Sequence, residues 1–211
     1  MPYTSVVGES SVERTIEKSR FIAIVAHIES EDDAKEFLAR TRAAHPLATH
    51  ICYAFIADRV GNLQRFSDAG EPQGTAGMPI LGVIKAQKLT QVIVAVVRYF
   101  GGVKLGAGGL TRAYASLASE GVAAAEKRTY AECVELTLCV GYAEVNAALR
   151  FLENAEVLAK NFGAGAEFTV AVRETEAESF KARARDFLQG RVEIREGKRY
   201  YYAFKANGAG E

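Results

Sequence analysis

The chain has 211 residues, of which 49% are hydrophobic and 25% charged, values of folded globular proteins that exclude disordered and collagen-like chains. Its 26 basic and 26 acidic residues cancel, which argues against a general polyanion binder. The longest aliphatic run, Val92–Val97, is far shorter than the about 20 residues that a membrane helix needs, so we expect no membrane association. Three widely spaced cysteines indicate a reduced, cytoplasmic protein, and we expect neither a metal nor a cofactor.

The first half of the chain predicts alternating strands and helices. Ser30, followed three residues later by Asp33, predicts the N-cap of a helix over Glu31–Ala44. Val92–Val97 is apolar on both faces and predicts an interior strand. The other expected elements are strands at Val12–Ile16, Phe21–Ile28, His50–Ala57 and Leu63–Phe66, a short helix at Ala76–Ala86, a loop at Tyr99–Gly109 and a helix at Leu110–Glu126.

The second half predicts the order β-α-β-β-α-β over about 75 residues, which is the ferredoxin-like arrangement. Thr175 and Glu178 predict a capping box for its second helix. The other expected elements are strands at Val134–Val140, Val157–Phe162 and Phe168–Val172 and a helix at Ala143–Asn154. Val192–Ile194 and Tyr200–Phe204 predict the last strand or a hairpin. We therefore expect an α+β protein with domains at 1–130 and 131–205 and a polar tail at 206–211.

A glycine-rich segment after the buried strand carries the sharpest functional signal. Glycine lets a backbone approach a ligand closely, and a helix N-terminus favours an anion. Residues 85–119 contain five basic and no acidic side chains. We expect this segment to bind phosphate or another anion, although a tight turn between strand and helix is the alternative. The candidate residues are Arg98, Tyr99, Gly101, Gly102, Lys104, Gly106, Gly108, Gly109, Thr111 and Arg112.

A second loop, Asp68–Gly77, combines carboxylates, an amide and a hydroxyl just before a helix. Glu71 and Asp68 have the chemistry of a general base and acid, or of ligands for a magnesium ion on a phosphate. The alternative is structural, with Asp68 bonded to its own turn and Thr75 as an N-cap. The candidate residues at this loop are His50, Asp68, Glu71, Gln73, Gly74 and Thr75.

His50 and Cys52 share one face of a predicted strand, because side chains alternate along a strand. Two ligands do not complete a zinc site, which needs four, or three and a water molecule. No carboxylate evident in the sequence would orient a Cys-His nucleophile. We therefore expect structural roles for both side chains.

Four segments resemble the YigZ/IMPACT family: Lys18–Phe21, His50–Ala54, Gly70–Gly77 and Val96–Gly106. The resemblance covers about residues 1–130, and the second half is similar to the C-terminal domain of the bacterial members. It implies a first domain similar to the second domain of small-subunit ribosomal protein S five, a β/α sandwich. It implies a second, ferredoxin-like domain similar to the last domain of elongation factor G.

The same resemblance bears on function but supplies no catalytic residues. The eukaryotic relatives regulate translation through a further N-terminal domain that we do not find in this sequence. Bacterial members are proposed to bind nucleic acid. The resemblance therefore favours a partner in translation over a kinase-signalling role for this chain.

Three functional hypotheses follow. The first, which we favour, is a non-enzymatic, translation-linked protein that contacts RNA, the ribosome or a translation-associated protein through the glycine-rich loop, with Tyr200–Phe204 as a second contact surface. The second is a small-molecule or nucleotide-binding enzyme with Glu71 or Asp68 and Lys104 around one shared pocket. The third is a structural turn alone, in which Gly102→Ala would unfold the domain.

Overall fold

The computed structural model describes residues 1–205, so the polar tail predicted at 206–211 lies outside the described residues. The chain divides into two compact units, one formed by Tyr3–Thr129 and the other by Tyr130–Lys205 with Met1–Pro2. Each unit combines helices with a sheet, which confirms the predicted α+β class. Within residues 1–205, no helix combines the length and apolarity that a membrane crossing requires.

The first unit is built on a five-stranded sheet with three helices. The strands of this sheet are β2 (Glu9–Ile16), β3 (Ser19–His27), β4 (His50–Ile56), β5 (Gln64–Ser67) and β6 (Val92–Tyr99), and the helices are α1 (Glu31–Ala44), α2 (Gly77–Ala86) and α3 (Gly106–Ala124). A further strand, β1 (Tyr3–Val7), precedes them in the chain and is not part of this sheet. The order in the sheet is β2-β3-β6-β4-β5, with every neighbouring pair antiparallel. The sequence analysis did not predict strand β1. This strand is held by long-range contacts, among them a hydrogen bond of 3.0 Å from the Thr90 N–H to the Thr4 carbonyl oxygen.

Helices cover both faces of this sheet. Ile80 of α2 and Tyr114 of α3 pack on one face, and Phe37 of α1 packs on the other. Strand β6 is the middle strand and sends alternate side chains into both cores, with every residue of Val92–Val97 fully buried. This arrangement confirms the predicted interior strand, because only a strand covered on both faces is stabilised by continuous apolar sequence.

Two helix starts in this unit show where local signals hold and where they fail. Helix α1 begins as predicted, with the Ser30 hydroxyl accepting from the Asp33 N–H at 3.1 Å and the Asp33 carboxylate accepting from the Ser30 N–H at 2.9 Å. Helix α3, in contrast, begins at Gly106 rather than at Leu110. Its glycine-rich first turn is helical because Leu110 and the residues after it are anchored in the core, which outweighs the low helix propensity of glycine.

The second unit has the predicted ferredoxin-like topology. Its elements are β7 (Glu126–Val140), a 3-10 turn (Tyr142–Glu144), α4 (Val145–Phe151), β8 (Glu156–Phe162), β9 (Ala166–Arg173), a 3-10 turn (Glu174–Glu176), α5 (Ala177–Phe187) and β10 (Glu193–Phe204). Strand β10 pairs with β7, which is followed by β9 and β8. Both helices pack on one core with Leu136, Phe168 and Phe180.

Three local predictions in this unit were wrong. The Thr175–Glu178 capping box does not form, because Glu174–Glu176 make a 3-10 turn and α5 begins without a side-chain cap. The first helix, α4, is shorter than the predicted Ala143–Asn154. The two segments predicted as the last strand or a hairpin form one continuous strand, β10, which agrees with the first of these alternatives. Of the proposed contact surface Tyr200–Phe204, Phe204 is buried in a small cluster with Cys133 and is unavailable to a partner.

Candidate functional site

A buried ion pair joins the two segments that the sequence singled out. Arg98 stands near the end of β6, and Glu71 lies in the loop between β5 and α2. The Arg98 Nη1 atom is 2.6 Å from Glu71 Oε1, and both side chains are at least 95% buried. The same carboxylate oxygen accepts a hydrogen bond of 2.8 Å from the Tyr114 hydroxyl of α3. Burial raises the pKa of Tyr114, so the phenol keeps its proton and donates it.

The guanidinium of Arg98 lies inside the protein, where Nη1 and Nη2 have hydrogen-bond partners and the buried Nε has none among the described residues. Its Nη2 donates to the Ser19 hydroxyl at 3.2 Å, and its carbon lies 5.2 Å and 5.4 Å from the ring centres of Phe21 and Phe100. Arg98 was expected to present its charge to an anion. That charge is instead compensated by Glu71 and shielded from solvent, so the pair ties β6, α3 and the loop together.

The loop before α2 is organised by the Asp68 side chain. Its carboxylate accepts from the backbone N–H groups of Gly74, Ala76 and Gly77, at 2.8, 3.0 and 2.8 Å. Burial by itself raises the pKa of Asp68, but these three hydrogen bonds outweigh it and hold the pKa below its ordinary value. Thr75 is not the N-cap, because its hydroxyl donates to the Pro72 carbonyl at 2.6 Å and Ala76 occupies the cap position.

Asp68→Asn is expected to lower the free energy of unfolding by about 1 kcal/mol at pH 7. This is the usual cost of losing a helix N-cap, and Asp68, although it is not the cap residue, likewise accepts from backbone N–H groups at the start of α2. An amide keeps one acceptor oxygen but turns an N–H₂ group towards one of the backbone donors. Because the folded pKa is depressed, the contribution of wild-type Asp68 is complete above the unfolded pKa and is lost as the pH falls through the folded value.

Urea denaturation of both proteins between pH 2 and pH 7 measures this difference. The gap between wild type and Asp68→Asn should shrink below about pH 4. A gap that stays constant down to pH 2 would show that the charge of Asp68 is not what stabilises the loop.

His50 and Cys52 both bond to the backbone of this loop. His50 Nδ1 lies 3.0 Å from Ala69 O, and Cys52 Sγ donates to Asp68 O at 2.9 Å. A carbonyl oxygen only accepts, so Nδ1 of His50 carries the proton; its Nε2 is 3.9 Å from Glu71 Oε1. Burial raises the pKa of Cys52 to about 12, so at neutral pH it is a thiol and not a nucleophile. Within residues 1–205, no group of three or more His, Cys, Asp or Glu side chains is arranged to hold a metal ion.

The first half of the glycine-rich segment is a structural turn. A Cβ atom on Gly101 would lie 1.8 Å from the carbonyl oxygen of Lys18, so only glycine fits there. The Gly101 N–H donates to the Ser19 hydroxyl at 3.3 Å. Gly102 has a φ of +86°, a left-handed conformation that glycine adopts without strain. These contacts fit the tight-turn interpretation of this part of the segment.

The second half of the segment is exposed. Lys104, Gly106, Gly108 and Arg112 all face solvent, and α3 begins after Leu105 without a side-chain cap. Arg112 folds back over the first turn, since its Nη1 is 3.6 Å from the position of a Cβ on Gly108. The result is a helix N-terminus with two cations beside it.

Of the remaining candidate residues, some form hydrogen bonds within the protein and others are exposed at its surface. The Thr111 hydroxyl is used inside the helix, where it donates to Ala107 O at 3.0 Å, and the Tyr99 hydroxyl bonds to His45. Gln73 and Gly74 are exposed, and Gly109 is half-buried. The structure brings His50, Glu71 and Arg98 together, whereas no ion pair within residues 1–205 joins Lys104 to Glu71 or Asp68.

Two members of the buried cluster escaped the sequence analysis as site residues. Ser19 appeared only as part of the segment Lys18–Phe21, and Tyr114 lay within the predicted helix Leu110–Glu126 without being singled out as a site residue. Both are identified by their contacts with Arg98 and Glu71, which no local pattern encodes. The one signal in the sequence was that Ser19 belongs to a segment with a family resemblance.

Comparison with protein families agrees with this architecture. Residues 17–122, half of the chain, match the family model for the Impact N-terminal domain. The chain belongs to the IMPACT family. Residues 138–191 of this IMPACT family member match a domain of unknown function, DUF1949. The resemblance noted from the four sequence segments is thereby confirmed.

Related proteins cover both units of this IMPACT family member. It is 34% identical to the IMPACT family member YvyE of Bacillus subtilis over an alignment of 207 residues, which covers 94% of this chain and 93% of that protein. It is 32% identical to the IMPACT family member YigZ of Escherichia coli over an alignment of 188 residues, which covers 87% of this chain and 92% of that protein. A solved structure described as the crystal structure of an hypothetical protein aligns with a TM-score of 0.62 and 30% identity, covering 92% of this chain and 96% of that one.

Proposed function

We propose that this IMPACT family member is a translation-linked, RNA- or ribosome-associated protein that contacts phosphates through the exposed half of its glycine-rich segment. The observation that carries the proposal is the uncapped, glycine-built first turn of α3 between the exposed cations Lys104 and Arg112. The surrounding stretch, residues 85–119, contains no acidic side chain. This function requires a cytoplasmic location.

The chemistry of this surface suits a phosphate backbone. The first turn of a helix has backbone N–H groups without intrahelical partners and a partial positive charge, which together attract anions. Glycines leave these N–H groups open to close approach. Contacts of this kind position a protein on RNA without reading its sequence. A local site also explains how a chain of zero net charge would bind a polyanion.

The enzymatic alternative receives less support from the geometry. Glu71 Oε1 is shared by Arg98 and Tyr114, and the Asp68 carboxylate holds three backbone N–H groups. Both carboxylates therefore have a structural role. A general base needs a carboxylate within reach of a substrate proton, which neither of these arrangements provides.

Lys104→Ala is expected to weaken salt-dependent binding to ribosomes and to make it less sensitive to salt. Each phosphate contact that is lost lowers the slope of log affinity against log salt concentration by roughly 0.7–0.9. Co-sedimentation of the purified protein with ribosomes across a salt series measures both quantities. Lys85→Ala is the matched control, because Lys85 is an exposed lysine of α2 in the same acid-free stretch.

The control should behave as wild type, since both variants remove one positive charge and only the position differs. Equal losses in the two variants would assign the binding to bulk charge and contradict a site at α3. Absence of binding by the wild type at every salt concentration would contradict the ribosome-associated function itself.

A further inference from the structure

A second place in the first unit has the chemistry of an anion site. A pocket of ≈ 350 Å³ opens where the chain passes from α1 into β4, and its polar lining comes from Arg42, His45, Thr49 and His50. Pro46 and Ile51 contribute apolar wall. The volume is in the range of small-molecule sites. Among the described residues, no Asp or Glu lines this pocket.

The polar groups of the pocket have unused donors. The Thr49 hydroxyl accepts from the Phe100 N–H at 3.0 Å, so its own proton is available to another acceptor. His45 Nδ1 lies 2.8 Å from the Tyr99 hydroxyl oxygen. When the hydroxyl donates this hydrogen bond to Nδ1, the Nε2 atom of His45 carries the proton and can donate it to a ligand. The two hydrogen bonds also link the pocket wall to the start of the glycine-rich segment.

Arg42 supplies a positive charge that the protein itself does not neutralise. Its side chain is exposed, and it forms no ion pair with any carboxylate in the described part of the chain. The neighbouring Arg40 differs, because its Nη2 lies 3.5 Å from a carboxylate oxygen of Glu9. A guanidinium presents paired N–H groups that match the oxygens of a phosphate.

We propose that this pocket binds a phosphate monoester, with Arg42 as the charged contact and Thr49 and His45 as hydrogen-bond donors. Pro46 and Ile51 contact the organic part of the ligand. This site is separate from the α3 surface and does not rest on its function. The monoester is either a small phosphorylated metabolite or the terminal phosphate of an RNA, since both present the same dianion.

Isothermal calorimetry with AMP and adenosine, on wild type, Arg42→Gln and Arg40→Gln, tests the proposal. AMP should bind and adenosine should not, because only AMP carries the monoester. Arg42→Gln should weaken AMP binding at least tenfold, roughly the effect of one hydrogen bond to a charged group. Arg40→Gln removes the same charge from the same helix and should stay within about twofold of wild type.

A second pair of variants, at Thr49, tests the pocket independently of Arg42, whose replacement could also weaken binding indirectly. Thr49→Val removes the hydroxyl at nearly constant volume and should weaken AMP binding about fivefold, whereas Thr49→Ser should restore it. A 5′-phosphorylated RNA oligonucleotide and its 5′-hydroxyl form separate the two sources of the monoester. Tighter, Arg42-dependent binding of the phosphorylated RNA than of AMP supports the RNA terminus; equal or weaker binding supports a small metabolite.

Three results would overturn the proposal: no binding of AMP and of the phosphorylated RNA, equal binding of AMP and adenosine, or equal effects of the two arginine variants. Its failure is distinguishable from failure of the α3 site. Lys104→Ala should leave AMP binding unchanged, and Arg42→Gln should keep salt-dependent co-sedimentation with ribosomes.

Discussion

Glu71→Ala is expected to lower the free energy of unfolding by about 3–5 kcal/mol, because it leaves the buried guanidinium of Arg98 without its counter-charge. The two side chains are 3% and 5% exposed, so water cannot replace the lost carboxylate. Tyr114 also loses the acceptor of its buried hydroxyl. Urea denaturation followed by circular dichroism measures the loss.

An exposed ion pair provides the control for this result. Glu13 and Arg20 form a pair of 2.7 Å with about half of each side chain exposed, so Glu13→Ala should leave the urea midpoint within error of wild type. Replacing both buried partners, as in Glu71→Gln with Arg98→Met, should recover part of the loss, since no unpaired charge then remains in the core. If Glu71→Ala and Glu13→Ala were equally mild, the buried pair would not be what holds the loop.

Gly101→Ala is expected to lower the free energy of unfolding by about 3 kcal/mol or more. The added Cβ would lie 1.8 Å from Lys18 O and 2.7 Å from Ser19 N, which are backbone atoms that cannot move aside without displacing the turn between β2 and β3. That turn is itself tight, with positive φ angles at Glu17 and Lys18. Urea denaturation of the purified variant measures the loss.

Two other glycines calibrate this prediction. Gly102→Ala should cost only about 1–2 kcal/mol, because its φ is positive but nothing lies within 4 Å of the new Cβ. Gly82→Ala, at an open position of α2, should stabilise the protein by about 0.5–1 kcal/mol. The structural hypothesis assigned unfolding to Gly102, whereas the contacts assign it to Gly101. A mild Gly101→Ala together with a severe Gly102→Ala would reverse that assignment.

The fold was predictable where short-range physics decides it. Ser30 and Asp33 mark the start of α1 because both capping bonds lie within four residues. The interior position of Val92–Val97 followed from continuous apolarity, and the ferredoxin-like order of the second unit from alternating periodicities. The family was predictable from four sequence segments, because matching them to a family requires no knowledge of the tertiary structure.

The site was predictable as a set of segments but not as an arrangement. Arg98 and Glu71 are 27 residues apart in the chain, and only folding decides that they neutralise each other. Asp68 organises the start of α2 from nine residues away, a distance beyond any capping motif. The first turn of α3 is helical although it begins with glycines, because tertiary packing of Leu110 outweighs local propensity.

The sequence by itself determined the α+β class, the central strand, the capped helix and the family, since these depend on neighbours along the chain. Only the tertiary structure decided which charges are available to a ligand. Arg98 is buried against Glu71, while Lys104, Arg112 and Arg42 remain exposed. Burial and ion pairing depend on residues that are distant in sequence. An arginine therefore stabilises the fold or is available to a ligand according to which residues folding places beside it.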